Sequence, residues 1–338
     1  MRNAAVESGA QVPGRISTLP GETARQALAA AIDAKARRSP RRAGLVLMYH
    51  DVAATSGDPE RCVVPPLAAE LLRAQLAHLR RRYDVGPLPE LQKRATSRVA
   101  GGRFPVALTF DDDLESHSTF VAPLLAEFES PATFFLTGSS LDGSHAFWWH
   151  DLNDVFARGG KAWQEVAAEA ARRWGSTGRE LALHDLARTF EMLPPSERDA
   201  FAWRLREIAA SPPREPGLSE GAVRELASAG FDIGFHTASH YHLQTLDDGA
   251  LHSALREGAD RLAAIAGYRM TSIAYPYGRA DLRIAAAAAD AGFEIGVIWS
   301  DQRVDASSHP LLLARVDGWQ PSAGSFAFRL ARIIFAGA

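Results

Sequence analysis

Val106-Ala107-Leu108-Thr109-Phe110-Asp111-Asp112-Asp113 is an apolar, partly β-branched run that ends in three consecutive carboxylates. The run reads as a buried strand, and a protein interior cannot hold three adjacent acids without partners. A strand ending in acids places them at the mouth of a sheet or barrel. There a metal can take one carboxylate and leave its neighbour free as a base. Taken alone, an Asp triplet also fits a solvated turn after an edge strand. The downstream stretch Phe231-Asp232-Ile233-Gly234-Phe235-His236-Thr237-Ala238-Ser239-His240 decides between the two. It is a second short apolar strand, and it ends in two histidines four apart. One Asp with two His makes a three-ligand set that leaves positions open on a zinc-like ion, as hydrolytic sites require. A His-x-x-x-His pair by itself is a common surface coincidence. Here both halves fall at the same point of a strand-then-loop unit, where parallel barrels carry their chemistry.

Working outward, Leu45–Tyr49, Ala132–Leu136, Met270–Ala274, Glu294–Trp299 and Leu311–Val316 read as further strands. Helices are expected over Glu22–Arg38, Leu67–Arg82, Ser118–Phe128, Leu218–Gly230, Asp247–Gly267, Ala285–Gly292 and Phe326–Phe335. This alternation argues for a parallel α/β sheet closed into a barrel. Between Thr137 and Gly217 the strand rhythm stops. The segment carries Phe147-Trp148-Trp149-His150-Asp151-Leu152 and then amphipathic helix. Trp149 and its neighbours read either as a wall on which sugar rings stack or as an anchor that packs the insertion onto the barrel.

Several motifs carry a family resemblance. Thr109-Phe110-Asp111-Asp112 resembles the first motif of the polysaccharide deacetylases, the NodB-homology carbohydrate esterases, and His236-Thr237-Ala238-Ser239-His240 resembles their second. Ala274-Tyr275-Pro276-Tyr277-Gly278 is similar to their Pro-Tyr-Gly turn, and Met48-Tyr49-His50-Asp51-Val52 to the Tyr-His-x-Val strand end of many members. The resemblance spans Leu45 to Phe293, apart from the insertion. It implies a distorted (β/α)7 barrel with a helical insertion. It also implies a metal-dependent hydrolase that removes an N-acetyl or related acyl group from an amino sugar, saccharide or glycan precursor. On the same basis Asp112, His236 and His240 hold one divalent ion, zinc; Asp111 is the base; and the backbone N–H of Tyr277, beside Pro276, helps hold the oxyanion. A small non-sugar amide on the same barrel is an alternative substrate. A catalytically silent carbohydrate-binding relative is the alternative to an enzyme, but such a relative would be expected to have lost a ligand or the base.

Three departures from the family pattern stand out. Asp113 replaces the glycine that usually follows the two acids, adding charge beside the metal or pointing to solvent. The arginine that orients the base is missing before the Pro-Tyr-Gly turn, and Arg315, at the end of a late strand, is the candidate replacement. No Leu-x-x-His motif lies near the C-terminus, where in many members it protonates the leaving amine. His50, His242 and His309 are the candidates, and of these His50 is expected to line the site, the competing reading being a structural cap of the first strand.

Composition narrows the function classes. With 338 residues, 46% of them hydrophobic, and a formal net charge of −3, the chain offers no field for a phosphate backbone, so a nucleic-acid partner is not expected. Cys62 is the only cysteine, so no intramolecular disulfide can form. Met1–Pro20 lacks a basic region followed by an apolar stretch, which leads to the expectation of a cytoplasmic protein without stable membrane insertion. Residues 1–42 are expected as a flexible N-terminal segment with one helix, its Arg37, Arg38, Arg41 and Arg42 forming a solvated helix end. Residues 43–338 are expected as the barrel domain, interrupted by the helical insertion at about 140–217.

Overall fold

The computed structural model describes residues 21–141, 147–174, 182–209 and 217–335. Seven short apolar segments become parallel strands: β1 Leu45–Tyr49, β2 Pro105–Asp111, β3 Thr133–Leu136, β4 Asp232–Phe235, β5 Ser272–Ala274, β6 Ile295–Trp299 and β7 Leu313–Asp317. Each pairs with the next in chain order, and β1 also pairs with β7, Val46 opposite Arg315, so the sheet closes into the (β/α)7 barrel that the motifs imply. A two-residue strand, Asp84–Val85, lies beside the start of β2, on the edge that β3 occupies further along.

The period of two sorts side chains between two cores. Val46, Ala107, Phe135, Ala274, Val297 and Leu313 fill the lumen, and Leu88, Leu91 and Val304 join them. Their alternates, including Leu45, Leu47, Leu108, Phe110, Phe134, Ile233 and Ile273, pack against the surrounding helices. His50, Asp111 and Trp299 continue the lumen-facing parity at the C-terminal ends of β1, β2 and β6.

Several elements depart from expectation for local reasons. Asp247–Gly267 is two helices, Asp248–Ala254 and Ala259–Ala266, because Gly258 takes φ +83° between them. Leu67–Ala68 pairs with Val52–Ala53 before the helix Ala69–Arg82 begins. The helix expected from Ser118 opens as a wide π turn, His117–Val121, and only then becomes α-helical over Ala122–Glu127.

The insertion forms four helices, Trp148–Arg158, Gly160–Trp174, Leu183–Glu191 and Pro195–Ala209, around its own core of Trp148, Leu152, Val155, Phe190, Phe201 and Leu205. The helix Glu22–Arg38 forms as expected and packs on Ala323–Phe335 through Ala29, Ala327 and Ala331. The Glu22 carboxylate accepts from Gly324 N–H at 2.6 Å, and the Tyr83 hydroxyl donates to Asp33 at 3.0 Å. Arg37 donates to the Arg82 carbonyl at 2.5 Å and Arg41 to that of Ile334, so half of the basic cluster is tied to the protein rather than solvated. The loose ordering expected for residues 1–20 lies outside the described residues. No described helix is long and apolar enough to cross a membrane.

His78 sits at this seam, its ring 5.8 Å from that of Tyr83 and 6.2 Å from that of Phe326, with Nε2 buried and without a hydrogen-bond partner. Burial, reinforced by Arg81, Arg82 and Arg37, lowers its pKa from 6.5 to about 4. The unfolded chain therefore takes up a proton that the folded chain refuses. The His78 contribution is complete above pH 6.5 and is lost as pH falls toward 4. Discounted for partial exposure, it amounts to roughly 1–2 kcal/mol. His78→Phe is expected to flatten the fall in Tm between pH 6.5 and 4.5; a mutant with the wild-type pH slope would refute this assignment.

Candidate metal centre

Asp111 ends β2 only 1% exposed, and the residue that meets it comes from β7. Arg315 Nη1 donates to Asp111 Oδ1 at 2.6 Å and to Thr109 Oγ1 at 3.3 Å. Burial alone would raise the Asp111 pKa, but the Arg315 guanidinium together with His236 and His50 more than offsets it and the carboxyl is held down to about 2. His117 Nε2–H donates to the Asp111 carbonyl at 2.9 Å. His50 Nε2 lies 3.9 Å from Asp111 Oδ2, so His50 faces the site; burial lowers its pKa to about 4 despite Asp111 and keeps the ring neutral.

The next residue turns out of the strand. Asp112 takes φ +73°, its N–H donates to the Phe135 carbonyl at 3.0 Å, and its Oδ1 comes within 3.7 Å of His236 Nε2 and 3.6 Å of His240 Nε2. The two Nε2 atoms are 3.2 Å apart, and all three ligand atoms lie within 4.8 Å of one another. Donors about 2.1 Å from a tetrahedral ion stand about 3.4 Å apart, so this spacing fits one. His236 Nδ1–H donates to the Ala274 carbonyl at 2.7 Å, which leaves Nε2 with its lone pair toward Asp112. Burial holds both histidines neutral. Asp112 Oδ1 is buried with no hydrogen-bond partner, and burial together with Asp111 and Asp113 pushes its pKa well up. Asp112, His236 and His240 together form a group whose ligand atoms could hold a divalent cation.

Pro276–Gly278 forms a single 3₁₀ turn after β5, with Tyr277 at φ +60° and its ring 4.8 Å from that of His240. Trp149 stacks on Phe147 at 4.5 Å and lies 6.0 Å from His240, only 4% exposed. Of the two sequence readings of Trp149, the structure favours the anchor. His242 stacks on Tyr277 at 5.8 Å, one layer back. His309 is exposed and precedes β7, at the opposite mouth of the barrel, where its Nδ1 accepts from Leu311 N–H. Its expected candidacy as proton donor is therefore withdrawn.

The sequence pattern of the polysaccharide deacetylase family matches residues 98–296. Comparison with curated protein sequences finds no match. Among solved structures the chain is similar to a deacetylase from Streptococcus pyogenes in complex with acetate, with a TM-score of 0.57 at 16% identity, covering 86% of this chain and 98% of that one. It is also similar to a polysaccharide deacetylase from Bacillus cereus, with a TM-score of 0.54 at 15% identity and coverage of 85% and 69%. A de-N-acetylase from Aggregatibacter actinomycetemcomitans gives a TM-score of 0.54 at 14% identity, with coverage of 85% and 99%. At these identities the likeness is one of fold.

Two neighbours of the site were not singled out from sequence. Trp299 is 40% exposed at the end of β6, against Gly278, where an added Cβ would stand 2.5 Å from the Trp299 Cβ. A lone Trp at a strand end carries no motif; only strand parity could have flagged it. Arg198, from the insertion, reaches the loop before His240. Asp113 does not point to solvent, and its charge adds to that around Asp112. Only 1% exposed, it accepts from the N–H groups of Thr137 (2.7 Å), Gly138 (3.2 Å) and Ser140 (3.1 Å) and from the Thr137 and Ser140 hydroxyls. Asp113→Ala leaves these donors buried without an acceptor and is expected to cost about 3 kcal/mol or more in urea unfolding. A loss below about 1 kcal/mol would show that water replaces the carboxylate.

Proposed function

Because the chain belongs to the polysaccharide deacetylase family, whose pattern covers residues 98–296, we propose that it hydrolyses the N-acetyl or a related acyl group of an amino sugar, saccharide or glycan precursor. Asp112, His236 and His240 hold the divalent ion, zinc. The observation that carries this reading is the division of labour between adjacent acids. Asp112 Oδ1 has no donor and faces two neutral histidines, whereas Asp111 is engaged by Arg315.

An ion on these three donors supplies Lewis acidity, acidifying a water and drawing charge from the acyl carbonyl. The protein groups handle the protons. As the water oxygen bonds to the acyl carbon, Asp111 takes the proton it releases. Arg315 makes Asp111 a weak base, but for the same reason its protonated form is a strong acid. Asp111 can therefore return the proton to the leaving nitrogen as the C–N bond breaks, giving the carboxylic acid and the amine, which at neutral pH become carboxylate and ammonium. The Tyr277 N–H, on the turn that Pro276 and Gly278 shape, donates to the developing oxyanion. His50, neutral beside Asp111, hydrogen-bonds the substrate. Trp299 offers an apolar face to a pyranose ring, which favours a saccharide over a small amide.

The deciding experiment is acetate release from a panel of small and polymeric N-acetyl sugars, after chelation and after zinc is added back. Activity on none of them, or activity indifferent to chelation, sinks the reading. Asp111→Asn is expected to lower turnover by about two to four decades while zinc content is kept, whereas the His236→Ala, His240→Ala double mutant loses the zinc. For His50→Gln the expected loss is within about tenfold and equal on an amide and on an activated ester, as befits a neutral hydrogen-bonding group. A loss confined to the amide would make His50 the proton donor instead.

A further inference from the structure

We propose that Arg198, on the insertion helix Pro195–Ala209, is a positioning residue for His240, so that the insertion completes the metal centre rather than merely covering it. This rests on the reading of Asp112, His236 and His240 as ligands.

The two histidines are held differently. The His236 ring is fixed through its Nδ1–H bond to the Ala274 carbonyl, and its backbone N–H donates to the Leu136 carbonyl at 2.8 Å. His240 Nδ1 is buried and has no hydrogen-bond partner among the described residues. No outer bond orients this ring, so its aim depends on the backbone that carries it. That backbone is strained, with φ +57° at Thr237 and +48° at His240, neither of them glycine. A turn of this kind persists only if its surroundings impose it.

The insertion supplies the constraint on both sides of His240. Arg198 Nη1 donates to the Ser239 carbonyl at 2.9 Å, one residue before the ligand. The Tyr241 hydroxyl, one residue after it, donates to Asp199 Oδ2 at 2.6 Å. Two consecutive residues of one helix thus hold the two neighbours of His240. The Arg198 guanidinium lies 5.0 Å from the Tyr241 ring centroid and 5.7 Å from that of Phe190, and the residue is 9% exposed. Charge-assisted bonds to a carbonyl in such surroundings are strong and directional. Trp149, from another insertion helix, packs against the His240 ring.

The test is a cobalt(II) titration of the metal-free full-length protein, read by visible absorption, alongside Tm measured without metal. Arg198→Met keeps the apolar stem over the two rings and removes the donors. It is expected to weaken cobalt binding ten- to a hundredfold, the usual range for loss of an outer partner of a ligand. Arg198→Lys, which keeps one charged donor, should recover part of that loss. Arg204→Met, on the same helix as Arg198 and paired with Glu165 of the helix Gly160–Trp174, should bind cobalt like the wild type. Should Arg198→Met not fold, Arg198→Gln is judged on the same scale. Cobalt affinity within twofold of wild type in a folded Arg198 variant, with only Tm lowered, overturns the proposal and leaves the metal centre intact. Absence of cobalt binding by the wild type overturns the metal centre itself and this proposal with it.

Discussion

Three consecutive carboxylates are buried to 2% exposure or less, and each must be stabilised within one turn of chain. An unpaired charge at such depth costs several kcal/mol, so each acid recruits a different compensation. Asp111 takes a guanidinium from the last barrel strand, Asp113 takes backbone and hydroxyl donors from the loop after β3, and Asp112 Oδ1 is left without a donor. The closure of the barrel, the course of residues 137–140 and the convergence of two histidines all answer to this one stretch. The same constraint separates the chemistry of two adjacent aspartates, since a group engaged by Arg315 and a group without a donor cannot play the same part.

The geometry has an energetic cost, and the cost is concentrated. Asp112, Thr237, His240 and Tyr277 are four of six non-glycine residues at positive φ among the described residues, and all four surround the candidate centre. Each carries a strain of roughly 1–3 kcal/mol that the surrounding structure must over-determine. For Asp112 the restraint is the ladder bond from its N–H to Phe135; for Tyr277 it is a turn closed by Gly278 and Arg279. The loop of His240 lacks a strand on its outer side, and there the helices of the insertion stand in.

How much of this was legible depended on how local each cause was. The strand ending in Asp111 and the strand ending before His236 could be read because burial and chemistry share a short window. Glu22–Arg38 was read to its ends because Ser39-Pro40 stops it. The break inside 247–267 is not legible in the sequence, because a glycine is tolerated inside a helix and only its left-handed conformation makes Gly258 a break. Arg315 could be nominated only by noting a missing arginine. Arg198 could not be nominated at all, since nothing in its own segment points to a carbonyl 41 residues away. His309 is ambiguous in the sequence for a related reason: it lies before its strand, and only strand direction says which mouth of the barrel it reaches.

The pairing of Asp111 with Arg315 also bears on how the chain is made. The two residues are 204 positions apart. At 5–20 residues per second a ribosome needs about 10–40 s to travel from one to the other. Throughout that interval the acidic strand end has no counter-ion, so its burial is unfavourable, and β1 lacks β7 along one edge. Until β7 follows, a sheet of the first six strands would keep an unpaired edge at β1, the kind of edge prone to wrong pairing. The counter-ion of Asp111 is thus carried by the same strand that closes the barrel, so closure and charge compensation arrive together.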